Sequence, residues 1–290
     1  MVRGCHDMVK YPRVDEYMST PVVVVRPDDS LARARRLMIR YRIGRLVVID
    51  DQERPIGIIT KADFVRLASG QLTRRPLDAI IVKEVMTENL VVIRSDRSLR
   101  EAARLMLQHK VGGLPVVDEK GKLVGMITKT DVVRAYAEKL RGKYKVKDYM
   151  HVDAPQASLN HSVAYVVELL ETHPARRVLV VDGGELVGII APSDIAFVNV
   201  IPRVVKGKSK VSRRFFELPK GRIGPVYEYM LPTAQDIMTP DPVTIEAEED
   251  LAAAAQLMIR HGFSSLPVMV EDSPLGVVVK HNILQAISES

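Results

Sequence analysis

Gly125-Met126-Ile127-Thr128-Lys129-Thr130-Asp131 decides the reading of this chain, because the stretch recurs. Gly57-Ile58-Ile59-Thr60-Lys61-Ala62-Asp63 precedes it. Gly188-Ile189-Ile190-Ala191-Pro192-Ser193-Asp194 and Gly276-Val277-Val278-Val279-Lys280-His281-Asn282 follow. Self-similarity at a fixed period is the mark of a repeat architecture. Working outward, a methionine stands 38 or 39 residues before each glycine: Met18, Met86, Met150 and Met238. Each closes a similar run, as in Val82-Lys83-Glu84-Val85-Met86. Twelve residues after each methionine lie Ser30, Ser98, Ser162 and Asp250, all favoured helix N-caps. Twenty residues after it lie Met38, Met106, Leu170 and Met258; twenty-eight after it lie Leu46, Leu114, Val178 and Leu266.

Each copy reads as β-α-β-β-α. A short extended run such as Leu90-Val91-Val92-Ile93 comes first. A helix follows whose apolar positions, Leu99, Ala102, Ala103, Leu105 and Met106, form one stripe. Two strands joined by the polar turn Asp118 to Lys122 come next, and a second helix begins near Thr128. One unit of roughly 55–60 residues has too little core to stand alone, so the units are expected to pair. The fold class is α+β: four repeats packed as two pseudo-two-fold pairs. The expected division is an N-terminal segment 1–13, a first pair 14–145 (repeats 14–72 and 82–141) and a second pair 146–290 (repeats 146–198 and 234–290). The methionines are spaced 68, 64 and 88 residues apart, so the second pair carries an insertion, 199–233. Within it Lys206, Lys208, Lys210, Arg213 and Arg214 precede Phe215-Phe216.

Composition narrows the function. Apolar residues are 47% and charged residues 27%, and no apolar run reaches the ~18 residues of a membrane span. The opening residues lack a signal-peptide core and the chain has one cysteine, Cys5, so the expected location is the cytoplasm, with no membrane partner. A net charge of +6 favours anionic partners without choosing among them. The absence of Trp with abundant Lys, Arg and Glu points weakly to a thermophile. No tight histidine spacing suggests a metal site, and no nucleophile–base arrangement suggests catalysis. Gly207-Lys208-Ser209 lacks the upstream glycine of a phosphate-binding P-loop.

The Thr-x-x-Asp run admits two readings. As a capping box, hydroxyl and carboxylate satisfy helix N–H groups and do nothing more. As a site, the helix start offers donors to phosphate while the carboxylate accepts from a ribose diol. The motifs then decide. Met86-Thr87 and Met238-Thr239, Leu114-Pro115-Val116 and Leu266-Pro267-Val268, and the Gly-h-h-Thr-x-x-Asp run, in order and repeated, resemble the CBS-domain family. That family pairs repeats through their sheets and leaves two clefts per pair, where many members bind AMP, ADP, ATP, S-adenosylmethionine or relatives. Four repeats in one chain resemble archaeal stand-alone CBS proteins and the gamma subunit of AMP-activated protein kinase.

The resemblance implies roles for particular residues. Asp63 and Asp131 hold ribose, with Thr60 and Thr128 beside ribose and phosphate. Ser19, Thr87, His151 and Thr239, each following an opening methionine, reach the partner repeat's cleft near the adenine. Val24 and Val92 supply apolar contact. Arg45 and Arg177, just before an apolar strand, reach phosphate; Gly113 and Ser265 stand there in the other copies. The third cleft keeps Asp194 but has Ala191 for the hydroxyl, followed by Pro192. The fourth has Val279 and Asn282, and is expected to be the emptiest.

The expected function is regulatory: an adenine nucleotide (AMP, ADP or ATP) as ligand, no required cofactor, and a protein target read in trans. Two alternatives stand beside it. One is nucleic-acid binding through 203–214, gated by nucleotide; the other is an S-adenosylmethionine or methylthioadenosine sensor. The chain is not expected to be an enzyme. Both a disk-like monomer and a homodimer fit the repeats.

Overall fold

The computed structural model describes residues 11–68, 75–195 and 232–289. The stretch 203–214, and with it the expectation of a nucleic-acid contact, lies outside them. Repeat 1 runs α1 (Val14–Tyr17), β1 (Val24–Val25), α2 (Leu31–Arg40), β2 (Arg45–Ile49), β3 (Pro55–Thr60) and α3 (Lys61–Ala68). Repeat 2 opens on a 3-10 turn at Val82–Glu84. It continues with β4 (Ile93–Arg94), α4 (Leu99–Gln108), β5 (Gly113–Val117), β6 (Leu123–Thr128) and α5 (Lys129–Lys139). Repeat 3 opens on a turn at Val146–Asp148. Then come β7 (His151–Val152), β8 (Gln156–Ser158), α6 (Val163–Thr172), β9 (Val178–Asp182), β10 (Glu185–Ile190) and α7 (Pro192–Ile195). Repeat 4 runs α8 (Ala234–Ile237), β11 (Thr239–Pro240), β12 (Ile245–Glu246), α9 (Leu251–His261), β13 (Ser265–Val270), β14 (Ser273–Val279) and α10 (Lys280–Glu289).

Each repeat builds the same small mixed sheet. The strand before its first long helix (β1, β4, β8 or β12) lies parallel to the strand after it, and that strand forms an antiparallel hairpin with the next; in the second pair the partner's β7 or β11 adds a fourth strand. The helix between first and second strand is capped as the sequence predicts. Ser30, Ser98 and Ser162 Oγ accept from the N–H three residues on, and Asp250 Oδ1 accepts from Ala252 N. Each such cap stabilises by about 1 kcal/mol. One face of each helix is buried: Leu31, Ala34 and Met38 in α2, and Leu251, Ala252, Ala254, Ala255 and Met258 in α9.

The repeats pair by trading their opening segments. Ser19 of repeat 1 bridges to Met126 of repeat 2, and Thr87 of repeat 2 bridges back to Ile58 of repeat 1. In the second pair His151 pairs with Val277 in β14, and Thr239 pairs with Ile189 in β10. The exchange continues upstream. Val14 N donates to Arg97 O and Val82 N to Asp29 O; Val146 N donates to Glu249 O and Ala234 N to His161 O. All four donor residues are fully buried. Ile80 and Val82 of the second opening segment thus complete the core of Val25, Leu31, Met38, Leu46 and Ile59 in the first repeat. Each large aliphatic side chain buried this way contributes roughly 1.5–3 kcal/mol.

The exchange explains the methionine–glycine register. A Cβ at Gly57, Gly125 or Gly188 would run into Met86, Met18 or Met238 respectively, always from the partner repeat. Two compact units result: residues up to Leu140 together with the chain from Ile283 on, and Arg141–Asn282. In the first unit Arg100 and Arg104 Nε donate to Ser288 O at 3.3 and 3.2 Å.

Candidate functional site

Each cleft is built where the third strand of a repeat turns into its second helix. The opening segment of the partner repeat crosses that turn. In repeats 1 and 2 the Thr-x-x-Asp run makes the carboxylate-to-cap half of a capping box, with the hydroxyl also donating to the carboxylate. Asp63 Oδ2 accepts from Thr60 N at 2.6 Å and from Thr60 Oγ1 at 2.8 Å. Asp131 Oδ2 accepts from Thr128 N at 2.9 Å and from Thr128 Oγ1 at 2.7 Å. Both carboxylates are buried, at 3% and 4% exposure. The box consumes one oxygen of each. The other, Oδ1, pairs with an arginine one helical turn on: Arg66 at 2.5 Å and Arg134 at 3.4 Å, with side chains 68% and 45% exposed. Each pair joins a buried carboxylate to a largely exposed guanidinium. The box therefore aims the carboxylate as well as capping the helix.

The partner's segment completes each cleft. Ser19 exchanges backbone hydrogen bonds with Met126, five residues before Asp131; Thr87 does the same with Ile58, five before Asp63. Both Ser19 and Thr87 have exposed side chains. Val24 pairs with Val47 in β1 and is half-buried; Val92 precedes β4 and is 39% exposed.

Arg45 opens β2 and reaches across to repeat 2. A Cβ at Gly112 would lie 2.8 Å from its Nη2, and one at Gly113 would strike Nη1. Gly113, which replaces the arginine in repeat 2, and its neighbour Gly112 therefore leave the space Arg45 occupies. Burial pushes the guanidinium below its ordinary value, and the charge of Asp131 opposes that shift. Lys129, the first residue of α5, joins it: burial and then the Arg45 charge lower its ammonium. Among the described residues no hydrogen bond or salt bridge reaches either cationic head group. Lys129 was missed in the sequence, although Lys61, Lys129 and Lys280 share one register, broken only by Pro192. Lys61 is exposed, with its Cδ 4.0 Å from a Cβ at Gly44.

The second pair handles the same positions differently. Asp194 Oδ2 accepts from Ala191 N at 2.7 Å, but no hydroxyl joins it from position 191; Ser193 Oγ lies 3.3 Å from Oδ1. Pro192 opens α7 without an N–H, whereas Lys61, Lys129 and Lys280 each donate their N–H to the partner strand's lead-in carbonyl, Gly44, Gly112 or Ser264. Thr239 is exposed opposite Ile189. Arg177 donates through Nε to Ser265 Oγ and through Nη2 to Ser264 Oγ, both at 2.8 Å. Its Nη1 bonds the carbonyls of Arg176 and Ala175. In the fourth cleft Asn282, 1% exposed, accepts from Val279 N at 2.8 Å and meets His151 Nε2 at 3.1 Å.

Paired β-α-β-β-α repeats with opening segments exchanged, and a carboxylate (in repeat 4 the amide of Asn282) at the head of each second helix, define a tandem-cleft module. The CBS domain family model matches residues 14–70, 82–138, 146–199 and 234–289, and the chain belongs to that family. Protein MJ1225 of Methanocaldococcus jannaschii is 26% identical over 277 residues, covering 91% of this chain and 94% of that one. Its crystal structure, described there as that of a candidate archaeal homologue of g-AMPK, superposes with a TM-score of 0.68 at 23% identity over 95% of this chain and 99% of that one. A conserved protein of Pyrococcus horikoshii has the same fold, with a TM-score of 0.65 at 20% identity over 95% of this chain and 100% of that one. The inosine-5′-monophosphate dehydrogenase of M. jannaschii is 33% identical over 140 residues, 48% of this chain. Only 27% of that enzyme is spanned, so its activity does not carry across. No helix among the described residues is long and apolar enough to cross a membrane.

Proposed function

We propose that the chain is a regulatory sensor of adenosine ligands, not an enzyme, and that its first pair is the principal nucleotide site. One observation carries this. Arg45 and Lys129 are two half-buried cations held together beside Asp131, with no anion from the described residues on either head group. Like charges brought together out of water cost free energy, which a bound anion recovers. Phosphate supplies that anion, while the outward Oδ1 of Asp131 accepts from the ribose diol. Ser19 borders the base from the partner repeat, with Val24 and Val92 as apolar contacts. The Asp63 cleft has the same box and Thr87, with exposed Lys61 as its cation. An adenine nucleotide (AMP, ADP or ATP) fits this chemistry. Its binding biases the packing of the repeats, which a protein target reads in trans; a ligand shifts such an equilibrium only by its differential affinity.

The third cleft favours a second ligand class. Ala191 removes the hydroxyl, Pro192 removes an N–H, and Arg177 is already hydrogen-bonded. Asp194 remains for a diol, so an adenosine compound without phosphate, of the methylthioadenosine or S-adenosylmethionine type, suits it better than a nucleotide. The test is a thermal-shift and calorimetric panel of AMP, ADP, ATP, S-adenosylmethionine and methylthioadenosine, with mass spectrometry of any ligand released from the purified protein. A bound nucleotide at a hundredfold excess over its dissociation constant raises stability by about 2.7 kcal/mol. If no adenosine compound shifts the melting curve, the reading is wrong.

A further inference from the structure

The fourth cleft departs from the others in a connected way. Ser19, Thr87 and Thr239 occupy one register position, opposite the residue after the repeat glycine, and all three are exposed. His151 holds the same position opposite Val277, yet it is half-buried. In the other copies the glycine faces the side chain of the opening methionine. Gly276 faces backbone instead: a Cβ there would collide with His151 O and lie 3.1 Å from both His151 C and Val152 Cα. At this position the backbone of β7, rather than a methionine side chain, meets the glycine.

The hydrogen bonds fix the imidazole's chemistry. Val279 N donates to Asn282 Oδ1, which sets the amide so that Nδ2, a donor, points at His151 Nε2. Nε2 must accept, so the proton sits on Nδ1. On the other side His173 Nδ1 accepts from Ala175 N at 3.3 Å, which places its own proton on Nε2, 3.2 Å from Val152 O. The two rings meet edge to face, with centroids 5.7 Å apart. Strand β7 is thereby anchored at both of its residues, and the imidazole is seated on the group that replaces the diol-binding aspartate.

We infer that the fourth cleft is occupied from within: the imidazole of His151 takes the outward hydrogen bond of Asn282 that a ligand's ribose would otherwise take, and so excludes ligand. Asn282 suits this role because its amide donates where a carboxylate would only accept. His151 is the residue that sets how many ligands the chain holds. The inference rests on the clefts being adenosine sites, and the experiment separates the two ideas.

AMP is titrated into the full chain by calorimetry, comparing wild type with the double variant His151→Ser, Asn282→Asp. That variant rebuilds the serine and aspartate of the Ser19–Asp131 cleft. It is expected to bind one more equivalent of AMP than wild type, and an unchanged stoichiometry overturns the inference. If the variant does not fold, or wild type binds no AMP, ¹⁵N spectroscopy of the wild-type histidines decides. His151 is expected to carry its proton on Nδ1, with Nε2 as acceptor; an Nε2–H tautomer overturns the inference. Failure of wild type to bind AMP counts against the sensor reading alone.

Discussion

Arg45 and Arg177 open the same strand in repeats 1 and 3, and the two pairs treat them in opposite ways. Arg45 faces Gly112 and Gly113, which leave room for a guanidinium but offer it no side-chain acceptor. Arg177 faces Ser264 and Ser265, whose hydroxyls take two of its hydrogen bonds while backbone carbonyls take others. Burial lowers both groups, but the charge that opposes the shift is Asp131 of the partner repeat for Arg45 and Asp194 of its own repeat for Arg177. Among the described residues no hydrogen bond holds the Arg45 guanidinium, whereas that of Arg177 is held within the fold. Under the proposed reading, the same charge in a repeat serves the ligand or the fold according to the residue it meets across the pseudo-axis.

The largest test of that contrast is Asp131→Ala. It removes the proposed diol acceptor and the carboxylate charge that opposes the effect of burial on Arg45. Hydrogen bonds to charged groups contribute about 1.5–3 kcal/mol each, so AMP affinity in the first pair should fall about a hundredfold by calorimetry. Arg45→Met should then cost about tenfold for AMP and nearly nothing for adenosine, because it removes one charge-assisted phosphate contact. Arg177→Met should do the reverse, lowering the melting temperature while sparing AMP affinity; equal effects of the two arginine variants would break the contrast. Sharper still is Ser264→Gly with Ser265→Gly, which recreates the Gly112–Gly113 environment. It should give the second pair a severalfold gain in AMP affinity that salt screens.

The smallest expected effect is on pH. Burial, and then the nearby His173, lower the His151 imidazole from its ordinary value of 6.5. A depressed histidine favours the neutral form in the fold, so its contribution is complete above about pH 6.5 and is lost as pH falls through the folded value. Melting of the second pair should weaken on acidification over that window, and His151→Gln should flatten the response. Among the described residues His173 is the neighbouring titratable group that bears on this imidazole.

Much of this was legible in the sequence. The helix caps, the buried faces and the hairpins follow from local periodicity and capping, which depend on neighbours in the chain. The exchange of opening segments was not legible, because Val14 finds its partner at Arg97 and no local pattern encodes so distant a bond. The capping-box and ligand readings of Thr-x-x-Asp looked like alternatives. In space they do not compete for one oxygen, since the threonine bonds Oδ2 and Oδ1 faces an exposed arginine. Gly113 and Ser265 looked like absent phosphate ligands; they are the surfaces on which the arginines rest. Lys129 passed as an ordinary helix-surface lysine, because its burial beside Arg45 depends on the other repeat.

The traded openings also impose an order on synthesis. Val82 and Ala234 bond to Asp29 and His161, residues already made when they emerge. Val14 and Val146 bond to Arg97 and Glu249, residues still to come. At ribosomal rates of roughly 5–20 residues per second, the first segment of each pair waits on the order of ten seconds for its seat. Throughout that interval the nascent chain carries an apolar edge that only its own unfinished half can cover. A single repeat therefore leaves its opening segment without the backbone partner it has in the finished pair.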